Sequence, residues 1–170
     1  PIIFFRELRR LIANLSPDII VHTGDLVDDI KLGIYNRFLS KYEYHVKSLI
    51  NILESSSASS IYICVGNHDN VHIIKKYSKR SIIIDDIKKV YIFGDTASIS
   101  HYPFKIIKNP STYNFFGHDK SIGNDIVKDK IYLNGINSIN ILTEKTKRIF
   151  YLSYPYGIDD SRLMKRKIGL

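Results

Sequence analysis

The feature that most constrains the fold is a set of polar clusters, each of which directly follows a short apolar segment. In chain order they are Gly24-Asp25-Leu26-Val27-Asp28, Gly66-Asn67-His68-Asp69, His101-Tyr102-Pro103 and Gly117-His118-Asp119. The apolar segments have the length and composition of strands. Because ligands of open α/β sheets bind beyond the carboxyl ends of the strands, we expect the clusters to converge on one point.

Hydrophobic periodicity supports a layered α/β arrangement around these clusters. Apolar residues at steps of three and four predict helices over 4–15, 34–54 and 71–77. Short apolar runs predict strands at 19–21, 61–65, 81–84, 89–93, 97–100, 113–116, 130–133, 138–142 and 148–152. Strands that alternate with helices, as at the front, favour parallel pairing, and the closely spaced strands at the back favour antiparallel pairing. We therefore predict a single α/β domain over 1–170.

Composition excludes several classes of protein. A chain of 170 residues that is 44% hydrophobic can build one sizeable core. It contains no apolar run long enough for a membrane span, and its one cysteine, Cys64, excludes a disulfide framework and a thiolate-rich zinc site. We expect a cytoplasmic protein with no membrane partner, and Cys64 to be a small buried strand residue. The net charge of +8 permits nucleic acid as a partner but does not indicate it, because the basic residues are scattered apart from a cluster at 162–167.

The residue types in the clusters point to metal chemistry. Carboxylates, an amide oxygen and imidazoles form a ligand set that suits a divalent transition metal such as Mn, Fe or Zn. Such a metal polarises a phosphoryl oxygen and lowers the pKa of water.

The order of the clusters resembles that of the calcineurin-like metallophosphoesterases. That family reads Asp-x-His, Gly-Asp-x-x-Asp, Gly-Asn-His-Asp or Glu, a lone His, and then Gly-His-x-His. Residues 24–28, 66–69, His101 and 117–118 match the middle of this series. The resemblance implies a four-layer sandwich in which two mixed β-sheets are flanked by helices.

The resemblance also implies roles for individual residues. The ligands of the second metal of the family's pair are Asp25, Asn67, His101 and His118. His68 would face the phosphate as a hydrogen-bond donor or general acid, and Asp69 would orient it. Asp28 would not bind the metal itself but would hold one of the metal ligands in position.

Two departures from the family pattern stand out. The opening Asp-x-His is absent, so we expect the missing strand to lie just upstream of Pro1. Lys120 stands where the last motif has its second His. If residues 118–120 are extended, Lys120 and His118 leave the same face, and Lys120 would bind an anion there. Tyr102, Lys105 and Tyr113 would form the rim of the site beside it.

The function implied by the resemblance is metal-dependent hydrolysis of a phosphomonoester or phosphodiester, with a phosphorylated partner of unspecified class. Two alternatives remain open. One is a catalytically impaired pseudoenzyme that acts as a protein-interaction scaffold, as a retromer subunit in the family does. The other is an enzyme cut off before its Asp-x-His strand.

Overall fold

A computed structural model of the chain describes residues 2–27 and 38–154. Its helices are α1 (Ile2–Leu15), α2 (Leu39–Glu54), α3 (Val71–Tyr77) and α4 (Pro103–Ile107). Its strands are β1 (Ile19–His22), β2 (Ser60–Cys64), β3 (Ile82–Ile84), β4 (Ile87–Ile92), β5 (Asp95–Ser100), β6 (Tyr113–Phe116), β7 (Asp125–Val127), β8 (Lys130–Asn134), β9 (Ile139–Leu142) and β10 (Ile149–Leu152). The predicted elements are all present near their expected bounds. The predicted start of the second helix, 34–37, lies outside the described residues, as do Asp28 and the basic cluster at 162–167.

The first sheet contains β1, β2 and β3 in that order, and both strand pairs are parallel. The helix α2 lies between β1 and β2 in the chain and provides the crossover that a parallel pair requires. The parallel pairing predicted for the front of the chain is therefore confirmed.

The second sheet is mixed and has the order β4-β5-β6-β8-β7. Antiparallel pairing, predicted for the back of the chain, holds for β4 with β5 and β7 with β8 in this sheet, and for β9 with β10, which form a separate two-stranded sheet. It is wrong for β5 with β6 and for β6 with β8, which are parallel. The reason lies in the connections, because the short helix α4 and the strand β7 each let the chain return before the next parallel strand begins.

Alternation along β2 shows how the layers are built. Ile61 and Ile63 pack with the helices, in a core that includes Tyr42 and Ile50 of α2. Cys64 points the other way and packs with Ile84 and Ile99, between the two sheets. Cys64 is fully buried, as the sequence predicted. Because successive strand residues face opposite sides, one apolar strand can serve both cores.

These layers confirm the predicted fold class, an α/β sandwich with sheets flanked by helices. The predicted clusters all come directly after a strand end, following β1, β2, β5 and β6. Among the described residues, no helix is long and apolar enough to cross a membrane.

Candidate metal centre

The loop after β1 turns sharply before it presents its carboxylate. Gly24 and Asp25 both have positive φ, 100° and 53°. The Gly24 amide donates to His22 Nδ1 at 3.2 Å. Burial lowers the pKa of His22 to about 4, so the ring is neutral near neutral pH and Nδ1 can accept this bond when the proton is on Nε2. His22 therefore supports the turn that places Asp25.

Asp69 ties the loop after β1 to the loop after β2. Its carboxylate accepts from the backbone amides of Asp25 at 2.8 Å, Gly66 at 2.9 Å and Leu26 at 2.9 Å. Burial raises the pKa of Asp69 to about 6, and the three amides oppose that rise. These contacts make Asp69 a positioning residue for the loops, and its predicted orientation of His68 stays a prediction.

Gly66 is required by the close approach of the two loops. A Cβ at Gly66 would lie 2.0 Å from Oδ1 of Asp25. The same carboxylate oxygen accepts from the backbone amide of His68 at 3.0 Å. The Gly-Asn-His-Asp cluster thus holds Asp25 with its main chain before any metal is considered.

His101 is held in one tautomer by the first sheet. Its Nδ1 lies 2.7 Å from the carbonyl oxygen of Thr23, which can only accept, so Nδ1 carries a proton. Burial lowers the pKa of His101 below its ordinary value and favours the neutral ring. The lone pair of Nε2 is then directed at Asn67, whose Oδ1 is 3.0 Å away, with Asp25 Oδ2 at 3.7 Å.

His118 contacts the same amide oxygen as His101. Its Nδ1 lies 3.0 Å from Asn67 Oδ1, and its ring centroid lies 5.0 Å from that of His101. The side chain is exposed, and the residue has a φ of 65°. His118 therefore forms the open side of the cluster, whereas His101 is 3% exposed.

The residues that were predicted as ligands fit a divalent cation. One donor atom from each of Asp25, His101 and His118 lies within 4.8 Å of the others, and Asn67 Oδ1 lies beside both imidazoles. A carboxylate, an amide oxygen and imidazole nitrogens can each donate an electron pair to a cation that lies among them. The mixed nitrogen and oxygen set suits a transition metal.

Two predicted site features need correction. Residues 118–120 were expected to be extended, but Asp119 closes a turn by accepting from the amide of Ser121 at 2.9 Å, and His118 is left-handed. Lys120 is exposed, and its anion-binding role stays a prediction without that support.

Tyr113 was expected at the rim but is 2% exposed and packs with Ile92 and Ala97, because its position in β6 faces the core.

Thr23 was not predicted as part of the site, but its carbonyl selects the His101 tautomer and its side chain fills the space beside two glycines. A Cβ would lie 2.9 Å from Thr23 Oγ1 at Gly117 and 2.5 Å from it at Gly135. A backbone carbonyl has no residue-type signature, so only the position of Thr23 at a strand end could have indicated it.

Comparison with known proteins identifies the family. Residues 3–164 match the family model of the calcineurin-like phosphoesterases. The chain belongs to this family. The family comprises phosphoesterases that use divalent metals, and the described residues contain a group able to hold one. No curated protein matches the sequence.

Comparison with solved structures gives likenesses at low sequence identity. A novel archaeal phosphodiesterase is 17% identical, with a TM-score of 0.58 over 90% of this chain and 93% of that one. A mutant of Vps29 from Entamoeba histolytica is 12% identical, with a TM-score of 0.39 over 68% of this chain and 72% of that one. The first of these likenesses supports the calcineurin-like fold, and the second is too weak to add to it.

Proposed function

We propose that this calcineurin-like chain hydrolyses phosphoesters at a divalent transition metal held by Asp25, Asn67, His101 and His118. The observation that carries the proposal is the meeting of these side chains from the loops after β1, β2, β5 and β6. Both sheets contribute side chains to one point, as expected of a ligand-binding site at the carboxyl ends of strands.

The bound metal supplies a Lewis acid for a phosphoryl oxygen and lowers the pKa of water. The chain supplies the geometry. Asp69 and the Thr23 carbonyl hold the loops and the His101 ring, so the donor atoms are oriented before substrate arrives. His68 follows Asn67 directly and would donate a hydrogen bond to a phosphoryl oxygen or a proton to the leaving oxygen.

The direct test compares two exposed histidines. His118→Ala removes a proposed ligand, whereas His72→Ala changes an exposed histidine on α3. After dialysis against Mn and removal of free metal, we expect about one Mn per chain in the wild type and in His72→Ala, and much less in His118→Ala. Hydrolysis of bis-p-nitrophenyl phosphate and p-nitrophenyl phosphate should follow the metal content. Equal metal content in the two variants would remove His118 from the site.

His68 is tested separately from the ligands. We expect His68→Ala to keep its Mn and to lose hydrolytic rate by about two to four orders of magnitude, since a positioned acid or hydrogen-bond donor contributes on that scale. A rate equal to that of the wild type would show that His68 takes no part.

A scaffold function is the second candidate, and the replacement of the family's last His by Lys120 favours it. A scaffold that arose from a phosphoesterase would bind the metal without hydrolysing either ester. In that case Lys120→His should not raise the rate. A measurable rate in the wild type that depends on Mn would exclude a purely structural role.

A further inference from the structure

Tyr102 forms a wall of the metal centre. Its ring centroid lies 4.7 Å from that of His101 and 4.8 Å from that of His118, and both contacts are edge to face. Because Tyr102 directly follows His101 and precedes α4, the end of β5 fixes it in the chain. Tyr102 therefore borders the proposed metal centre beside both imidazoles.

Phe104 continues the aromatic surface outward. It lies in the first turn of α4, is 56% exposed, and its ring centroid is 5.4 Å from that of Tyr102 at an interplanar angle of 37°. Exposed single aromatic residues are common and need no explanation by themselves. Phe104 differs because it adjoins a ring that touches two proposed metal ligands.

Tyr102 also contacts a basic side chain of α4. Nζ of Lys105 lies 5.2 Å from the ring centroid of Tyr102, and Lys105 forms an ion pair with Asp86. The contacts with His101, His118 and Lys105 limit the movement of the Tyr102 ring. Phe104 is thus the more exposed ring of a supported aromatic pair.

We propose that Phe104, supported by Tyr102, is a specificity-determining residue that stacks a planar aromatic group of the substrate. The proposal rests on the phosphoesterase function and adds a substrate class to it: phosphoesters that carry a nucleobase or a simple aryl ring close to the phosphate. Both groups present a flat π surface, and stacking on aromatic side chains tolerates differences between rings. The apolar, exposed ring offers little to an aliphatic phosphoester.

The test measures binding, so that it does not depend on turnover. The Mn-loaded protein is titrated with adenosine 5′-monophosphate and ribose 5-phosphate, which differ by the base, and with phenyl phosphate and methyl phosphate, which differ by the ring. We expect the wild type to prefer the aromatic member of at least one pair by about tenfold, the scale of base stacking on an aromatic side chain.

Variants separate stacking from general hydrophobic contact. Phe104→Ala and Phe104→Leu should lose most of the preference, and Phe104→Tyr should keep it. Tyr91→Ala is the matched control, since Tyr91 is 79% exposed on β4 and should leave the preference unchanged. All of these positions are exposed, and circular dichroism verifies that each variant is folded.

The outcomes distinguish this proposal from the one on which it rests. A preference only in the nucleotide pair supports a nucleobase, and one only in the phenyl pair supports an aryl group. Equal affinities within both pairs, or a preference that survives in Phe104→Ala, overturn the stacking role even if all four compounds bind and esters are hydrolysed. If no phosphate binds and no ester is hydrolysed, the phosphoesterase proposal fails and the stacking proposal fails with it.

Discussion

The two sheets hold their parts of the metal centre in different ways. In the first sheet, the side chain of Asp69 joins the loops of Asp25 and Asn67 through three backbone amides. In the second sheet, the main chain does this work, since the Gly117 amide donates to the His101 carbonyl at 3.1 Å. The bond from His101 Nδ1 to the carbonyl of Thr23 joins the two halves, and both imidazoles also contact Asn67 Oδ1 of the first half.

The difference shows where the site is sensitive to substitution. A loop held by a side chain fails when that side chain changes, whereas a loop held by backbone pairing is sensitive mainly to atoms that disturb the close approach of strands. The first half also contains His22, whose charge state depends on pH. We therefore expect the loops of the first sheet to lose their geometry under more kinds of substitution and pH change than the loops of the second sheet.

The largest effect is expected from Gly66→Ala. The new Cβ would overlap Oδ1 of Asp25 and the Asp25 amide at 2.0 Å and 2.5 Å, so the loops must move apart. We expect Mn affinity to fall by at least about a hundredfold and the free energy of unfolding to fall by about 3 kcal/mol. Gly123→Ala, where nothing lies within 4 Å of the new Cβ, is the control. Calorimetric Mn titration that shows wild-type affinity for Gly66→Ala would contradict the packing of these loops.

The next effect concerns acid stability and His22. Its pKa is about 4 in the folded protein and 6.5 at its ordinary value. Between these values the unfolded chain binds a proton that the folded chain does not. The free energy of unfolding therefore falls as the pH decreases from about 6.5 to 4, by about 3 kcal/mol in total.

His22→Asn isolates this contribution, because an amide oxygen can accept from the Gly24 amide without titrating in this range. Urea unfolding of the metal-free protein at several pH values should show a shallower loss of stability in His22→Asn than in the wild type. His72→Asn changes an exposed histidine and should retain the wild-type slope. Parallel curves for His22→Asn and the wild type would show that His22 does not titrate as described.

A smaller effect is expected from Asp69→Asn. The amide keeps one acceptor oxygen and loses the other, so at least one of the backbone amides of Asp25, Leu26 and Gly66 is left without its bond. We expect a loss of about 2 kcal/mol in the free energy of unfolding and weaker Mn binding. Asp95→Asn on β5 is a control on the second sheet. Similar unfolding midpoints for both variants in urea would show that the first half does not depend on this carboxylate.

The smallest effect tests the join between the halves. In Gly135→Ala the new Cβ would lie 2.5 Å from Oγ1 of Thr23. This contact should lower the free energy of unfolding by about 1 kcal/mol. Adding Thr23→Ala removes the hydroxyl and should restore part of the loss, while His101 keeps its backbone partner. Thermal unfolding of the two single variants and the double variant measures the coupling. If the effects of the two single substitutions on stability simply add in the double variant, residues 135 and 23 are not in steric contact.

Much of the fold could be predicted because its signals are local. The bounds predicted for β6 and α3 agree with the structure, since their apolar spacing depends only on nearby residues. The helix α4 and the strand β7 were missed. Each is short and carries exposed apolar residues, such as Ile107 and Val127, so neither shows the periodicity of a longer element.

The site was predictable in its residue types and less so in its supports. Asp25, Asn67, His101 and His118 stood out because they follow apolar runs, and the structure brings them together. The extended segment assumed for 118–120 was wrong, because His118 is left-handed and turns the chain there, whereas anion binding by Lys120 stays a prediction.

Hydrophobic spacing was enough to identify the segments that become strands and the polar residues that follow them, because it acts between neighbours in the chain. The tautomer of His101, the binding of three amides by Asp69 and the burial of Tyr113 follow instead from the packing of distant segments. A hydrogen bond between a side chain and a distant backbone group instead depends on how strand ends meet, and backbone groups are chemically alike at almost every position.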